Sequence, residues 1–130
     1  GSRGMFATIL ARLAGVDTEN GATWYEKGMA WAVEQNISDG TAPEGGITRE
    51  QAVTMLYRYA GSPAASSSAL NGFADQSAVS SYAVTAMQWA VGNGIITGVS
   101  TNGRTTLSAK NNATRAQVSV MLHRFLTMEQ

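Results

Sequence analysis

The sequence predicts a mostly α, pseudo-threefold helical repeat: a central three-helix bundle, with shorter helices and loops as prongs. Three observations carry that reading. First, twelve residues occur twice in the same order. Met29-x-Trp31-Ala32-Val33-x-x-x-Ile37-x-x-Gly40 returns as Met87-x-Trp89-Ala90-Val91-x-x-x-Ile95-x-x-Gly98. After a loop, Thr48-Arg49-x-Gln51-x-x-x-Met55-Leu56-x-Arg58 returns as Thr114-Arg115-x-Gln117-x-x-x-Met121-Leu122-x-Arg124. Second, the amino end carries a further copy of the second half. Arg3, Ile9, Leu10, Arg12, Leu13, Ala14 and Gly15 align at a constant offset of 46 with Arg49, Met55, Leu56, Arg58, Tyr59, Ala60 and Gly61. Third, the apolar residues of the three copies fall on one helical stripe. Internal repeats at a fixed period decide an architecture before any single residue does.

The chain divides into residues 3–15, the second half of a first repeat; 16–61, a second repeat; 62–72, a Ser/Ala-rich connection; and 73–128, a third repeat. Gly1-Ser2 reads as a cloning remnant, and the whole as a fragment of a larger protein. The first long helix carries Phe6, Ile9, Leu10, Leu13 and Ala14 at i, i+3, i+4, i+7 and i+8, and Gly15 fits its C-terminal cap. A shorter helix follows, with Trp24, Gly28 and Trp31 on one face and Met29, Ala32 and Val33 on another. Two apolar faces wedge it between its own repeat and a neighbour, and its end is expected near Gly40. Thr48-x-x-Gln51 is a capping box that opens the second long helix. Ala52, Met55, Leu56, Tyr59 and Ala60 form its stripe, and Gly61 with Pro63 closes it. Residues 62–72 are expected to be exposed and mobile. The next short helix carries Tyr82, Ala86 and Trp89 and ends near Gly98. The loop to Thr114 is 16 positions, against 8 from Gly40 to Thr48. Strand is expected only as short pairings within 99–107. Thr114-x-x-Gln117 opens the last long helix, with the stripe Val118, Met121, Leu122, Phe125 and Leu126.

Composition bounds the function. The 130 residues are sufficient for one domain with a modest core. Formal charge is zero and only 14% of residues are charged, which argues against a nucleic-acid partner. The absence of cysteine excludes disulfides and thiolate chemistry. No apolar run approaches the ~18 residues of a membrane span, so no membrane insertion is expected. A single histidine, His123, has no second ligand or nucleophile to work with. No phosphate-binding glycine motif is present, and no catalysis or cofactor is expected.

Four kinds of residue remain as candidates. Arg49 and Arg115 sit at the first turn of a helix, where a cation opposes the helix dipole. Either an anionic ligand meets amides, dipole and guanidinium together, or the arginine makes a structural ion pair. Trp31 and Trp89 suit either stacking on a sugar ring or inter-repeat packing. Asp75 serves as a cap, an arginine partner or an acceptor for a sugar hydroxyl. Gly40 and Gly98 satisfy backbone geometry at a turn.

In order and spacing these motifs resemble the S-layer homology repeats of bacterial surface proteins. Phe73-Ala74-Asp75 fits the start of a repeat, Gly94-Ile95-Ile96-Thr97-Gly98 its middle, and Thr114-Arg115-Ala116-Gln117 the opening of its second helix. The resemblance covers about two and a half repeats. The departures are Gln at 51 and 117 in place of Glu, Val16-Asp17 in place of Phe-x-Asp, and Asn36 in place of the first glycine. The resemblance implies a noncatalytic module that anchors a larger protein to the Gram-positive wall, outside the cell. The implied partner is a secondary cell-wall polysaccharide carrying a pyruvate ketal. The implied contacts are Arg49 or Arg115 at the carboxylate, Trp31 or Trp89 near the sugars, and Asp75, Gly40 and Gly98 in the groove. The alternative is a protein-interaction or assembly module, with a dimer formed through the incomplete repeat.

Overall fold

Each long helix opens on a hydroxyl. The computed structural model describes residues 1–128, in which the long helices are α1 (Arg3–Leu13), α3 (Arg49–Tyr59) and α5 (Arg115–Leu126). The amides of Met5, Gln51 and Gln117 donate to the side chains of Ser2, Thr48 and Thr114 at 3.1, 3.2 and 3.1 Å. Gln51 and Gln117 return the bond, each accepting from the cap amide at 2.9 Å, so both predicted capping boxes are formed.

The short helices are α2 (Glu26–Glu34) and α4 (Val84–Gly92). Both stop well before Gly40 and Gly98, where the sequence placed their ends. Asn36 and Gly94 take positive φ, 58° and 72°, and the amides of Ile37 and Ile95 reach back to the carbonyls of Ala32 and Ala90 at 2.8 Å. This is a Schellman closure, with the buried isoleucine as its apolar contact. It gives the glycine–isoleucine pair its physical meaning, and asparagine replaces the glycine because its short side chain tolerates the left-handed region.

The eight extra residues of the third repeat form one hairpin. Strands β1 (Val99–Thr101) and β2 (Arg104–Thr106) pair antiparallel around Asn102-Gly103, both at positive φ. Val99 to Thr106 is therefore an insertion, and Leu107 stands where Thr41 stands in the second repeat. The connection 62–72 is less free than its composition suggests. Leu70 is buried in the core, and the Tyr57 hydroxyl donates to the Pro63 carbonyl at 2.9 Å.

One apolar core takes Phe6 and Leu10 from α1, Val53 and Leu56 from α3, and Val118 and Met121 from α5. Each short helix lies on the long helix of the preceding repeat, α2 on α1 and α4 on α3. The cover gives α1 a second buried side, through Gly4, Ala7, Thr8 and Ala11, while Leu13 and Ala14 of the predicted stripe are exposed. At the α1–α2 crossing a Cβ on Gly28 would lie 2.7 Å from the Thr8 Cα. Replacing Gly28 by alanine therefore forces two backbones apart. Despite alanine's better helix propensity, Gly28→Ala is expected to lower unfolding free energy by about 1–3 kcal/mol in a urea titration.

Candidate functional site

The first-turn amides of α1 and α3 are closed by loops of the following repeat. Arg3 and Gly4 amides donate to the carbonyls of Gly45 and Pro43, at 3.1 and 2.7 Å. Arg49 and Glu50 amides donate to Asn111 and Ala109, at 2.9 and 2.8 Å. The arrangement carries each arginine side chain into the next repeat. Arg3 Nη1 donates to the Thr41 carbonyl and hydroxyl, at 3.4 and 3.2 Å. Arg49 Nε donates to the equivalent carbonyl, that of Leu107, at 2.9 Å.

Two corresponding grooves result. One encloses about 300 Å³ between Arg3, the turn Ser38–Asp39–Thr41, the α3 residues Gln51, Thr54 and Arg58, and Tyr82. The other encloses about 250 Å³ between Arg49, the run Ile95 to Val99, and the α5 residues Gln117, Val120, Met121 and Arg124. Each combines an arginine from the preceding repeat with one from its own long helix. Arg58 and Arg124 Nη1 donate to the carbonyls of Ile37 and Ile95, both at 3.3 Å, so the second guanidinium is seated alike in the two grooves.

The walls differ. The Arg3–Arg58 groove holds a carboxylate, Asp39, kept below its usual range by hydrogen bonds from the Thr41 amide and hydroxyl. Among the described residues the Arg49–Arg124 groove has no acidic side chain in its lining, and it is the more apolar, through Ile96, Val99 and Val120. Gln51 and Gln117 line the two grooves with Oε1 already engaged at the helix cap. Their amide nitrogens remain as donors.

The candidates from the sequence separate. Arg49 lies on a groove but is only 6% exposed. Burial pulls its guanidinium below the ordinary value, and the Asp75 carboxylate offsets part of that. Asp75 accepts from the amides of Leu107 and Ser108 at 2.8 and 3.0 Å, fixing the strand exit that carries the acceptor of Arg49. Arg115 is exposed at the start of α5, outside both grooves. Trp89 is 3% exposed, packed between Tyr57 and Phe125 at 5.6 and 6.1 Å. Trp31 is half-buried, edge-on to Tyr59 at 6.1 Å. Neither tryptophan forms a groove wall. Gly98 lies in a groove, with φ at 89° and Phe73 and Thr105 so close that a Cβ would sit 2.7 Å from each. Gly40 takes φ of 82° between the groove residues Asp39 and Thr41.

The residues that the sequence did not single out are Arg58, Arg124 and Tyr82. The two arginines were visible as recurring motif positions. Tyr82 was not, because its place depends on α4 packing across α3. It is half-exposed beside Glu50, on the short turn that precedes α4. Among the described residues no group of three or more histidine, aspartate or glutamate side chains gathers to hold a metal, and no helix is long and apolar enough to cross a membrane.

Residues 72–119 match the family model of the S-layer homology domain. The surface-layer 125 kDa protein of Lysinibacillus sphaericus is 32% identical over 109 residues, covering 78% of this chain and 9% of that protein. The undecaheme cytochrome from the S-layer of Carboxydothermus ferrireducens has the same fold, with a TM-score of 0.66 over 99% of this chain and 18% of that one, at 16% identity. The chain thus spans a small part of each relative's length.

Partial burial and the Glu50 carboxylate push the Tyr82 phenol up to about 12 from 10.0. The folded chain then holds this proton more tightly than the unfolded one. The associated stability is present below pH 10 and is lost as pH rises from 10 to about 12. Ultraviolet titration of tyrosinate is expected to show one late phenol that Glu50→Gln moves to lower pH.

Proposed function

The chain carries an S-layer homology domain over residues 72–119, and we propose from this that the whole of it anchors a larger protein to the cell wall by holding an anionic glycan in the two grooves. The S-layer homology domain is a cell-surface anchoring module of S-layer proteins, so the chain is an extracellular, cell-surface one attached to the wall. The segments 3–15 and 16–61 are read as a half and a whole further repeat of the same kind. The ligand is read as a secondary polysaccharide of the Gram-positive wall carrying a pyruvate ketal on N-acetylmannosamine.

One observation supports this reading above the rest: the guanidinium pair recurs in both grooves, Arg3 with Arg58 and Arg49 with Arg124. Two guanidinium groups lining one cleft suit a carboxylate, which accepts bidentate bonds. The capping glutamines add a second argument. In a capping box one side-chain oxygen is consumed by the cap amide, so glutamate would leave a charged oxygen towards the groove, and glutamine leaves an N–H donor. Neutral glutamine thus removes repulsion of the ketal carboxylate. In the Arg3–Arg58 groove Asp39 and Thr41 are suited to sugar hydroxyls, and the exposed face of Tyr82 to a CH-rich sugar face. Tyr82 takes the stacking role first read for Trp31 and Trp89.

Co-sedimentation with purified Gram-positive walls, before and after acid stripping of the secondary polymer, tests the reading. Binding is expected with intact walls and absent with stripped ones. Arg58→Ala and Arg124→Ala are each expected to weaken binding about tenfold, the loss of roughly 1.4 kcal/mol of charge-assisted hydrogen bonding, with little change in melting temperature. Arg49→Ala is expected to lower the melting temperature as well, since it leaves a buried carbonyl without its donor. Equal binding to stripped walls would sink the glycan reading and favour a protein partner.

A further inference from the structure

We infer that Glu50 is a positioning residue for the Arg3–Arg58 groove: its buried carboxylate pins the turn ahead of α4 and so holds Tyr82 as the aromatic wall of that groove. The inference rests on the reading of the grooves as glycan sites. Glu50 stands in the first turn of α3 and is 3% exposed. A carboxylate taken out of water is costly unless donors meet it. Its Oε1 accepts from the Ser80 amide at 3.1 Å, and the Tyr82 hydroxyl faces the same carboxylate. Ser80 caps the short turn Ser81–Ala83, which runs straight into α4. One side chain of α3 therefore sets where that turn begins and where its tyrosine points.

The backbone of Glu50 is committed as well. Its amide donates to the Ala109 carbonyl at 2.8 Å, and its carbonyl accepts from the Thr54 hydroxyl at 2.7 Å. The stem is thus fixed before the carboxylate reaches out. Glu50, Thr54 and Arg58 follow at i, i+4 and i+8, one face of α3. Thr54, Arg58 and Tyr82 line the groove, and Glu50 closes the head of that face from outside the lining. It acts on a ligand through Tyr82.

The crossing of α1 and α2 shows the same place filled in another way. Gly4 stands where Glu50 stands; at the offset that carries Trp31 onto Trp89, Tyr25 stands where Ala83 stands and Trp24 where Tyr82 stands. A Cβ on Gly4 would lie 2.9 Å from the Tyr25 Cβ, so the tyrosine takes the space there. At the α3–α4 crossing Ala83 is small and buried, and the larger side chain comes from the long helix instead. Each exchange braces an exposed ring. Trp24 is 55% exposed and stands edge-on to Tyr25, with centroids 5.1 Å apart. Tyr82 is 51% exposed and, among the described residues, pairs with no ring; Glu50 takes over that duty. A ring already pinned loses less freedom when a ligand arrives.

The test measures affinity for intact isolated walls in two backgrounds that each spare one groove. Arg124→Ala spares the Arg3–Arg58 groove, and Arg58→Ala spares the other. In the first background Glu50→Ala and Tyr82→Ala are each expected to weaken binding about fivefold, and the two together no more than Tyr82→Ala alone. Glu50→Gln keeps an acceptor for the Ser80 amide and is expected to recover most of the loss. In the second background Glu50→Ala is expected to change binding by less than about twofold. Losses that add in the double variant, or an equal loss in both backgrounds, overturn the inference. A ligand-free measurement separates it from the glycan reading. With fluorotyrosine incorporated, the Tyr82 fluorine resonance is expected to move towards its unfolded position in Glu50→Ala and to stay near its native one in Glu50→Gln. A resonance that Glu50→Ala leaves in place overturns the inference whether or not walls bind. A resonance that moves in a chain that binds no walls sinks the glycan reading and keeps Glu50 as the residue that holds Tyr82.

Discussion

The structure depends on how the first turn of one repeat's long helix is closed by the next repeat's loop. Four backbone hydrogen bonds, two each at α1 and α3, satisfy amides that a helix cannot pair internally. They also fix the direction in which the first side chain leaves. Arg3 and Arg49 depart at the same place and reach the same loop carbonyl. A cation at this position normally opposes the helix dipole. Here the positive end already faces two carbonyls, so the electrostatic cost is reduced, and the guanidinium is left to bridge the repeats. The grooves exist because the bridge holds one repeat's helix end against another's turn.

This explains why no single repeat makes a groove. The Arg3–Arg58 groove draws an arginine from the first repeat, a turn and helix face from the second, and Tyr82 from the third. The linear motif identifies each part without saying which parts meet. The Thr-Arg pair looks like a site within its own repeat when read along the chain. In space its hydroxyl caps its own helix while its arginine serves the neighbour.

The fold was therefore more legible than the site. Capping boxes, helix-closing glycines and recurring apolar stripes act within a few residues, so their spacing suffices to place α1, α3 and α5. The short helices ended earlier than expected because Asn36 and Gly94, not Gly40 and Gly98, take the left-handed closing position. The site resisted because burial is a tertiary property. Trp89 and Trp31 occupy identical repeat positions, yet the first is enclosed by the rings of Tyr57 and Phe125, and the second pairs, among the aromatic rings of the described residues, with Tyr59 alone. Leu13 belonged to the stripe and is exposed, whereas Thr8 lay off it and is buried, because α2 covers the other side of α1.

The same geometry separates two duties that the recurring arginines seemed to share. Arg49 is enclosed, its Nε committed to Leu107 and its charge supported by Asp75, which itself holds the Leu107 and Ser108 amides. Removing it undoes a chain of contacts from α3 to the hairpin, so any effect on ligand binding is mixed with an effect on folding. Arg58 is exposed on its groove wall and, among the described residues, its side chain makes one hydrogen bond, a long one to the Ile37 carbonyl. Arg124, half-buried, does the same with Ile95. A guanidinium held by one hydrogen bond has most of its donors left over, so its loss costs the fold little. On the proposed reading, recognition falls to the arginines at the far ends of the long helices, Arg58 and Arg124, while Arg3 and Arg49 at the near ends bridge to the loop of the next repeat.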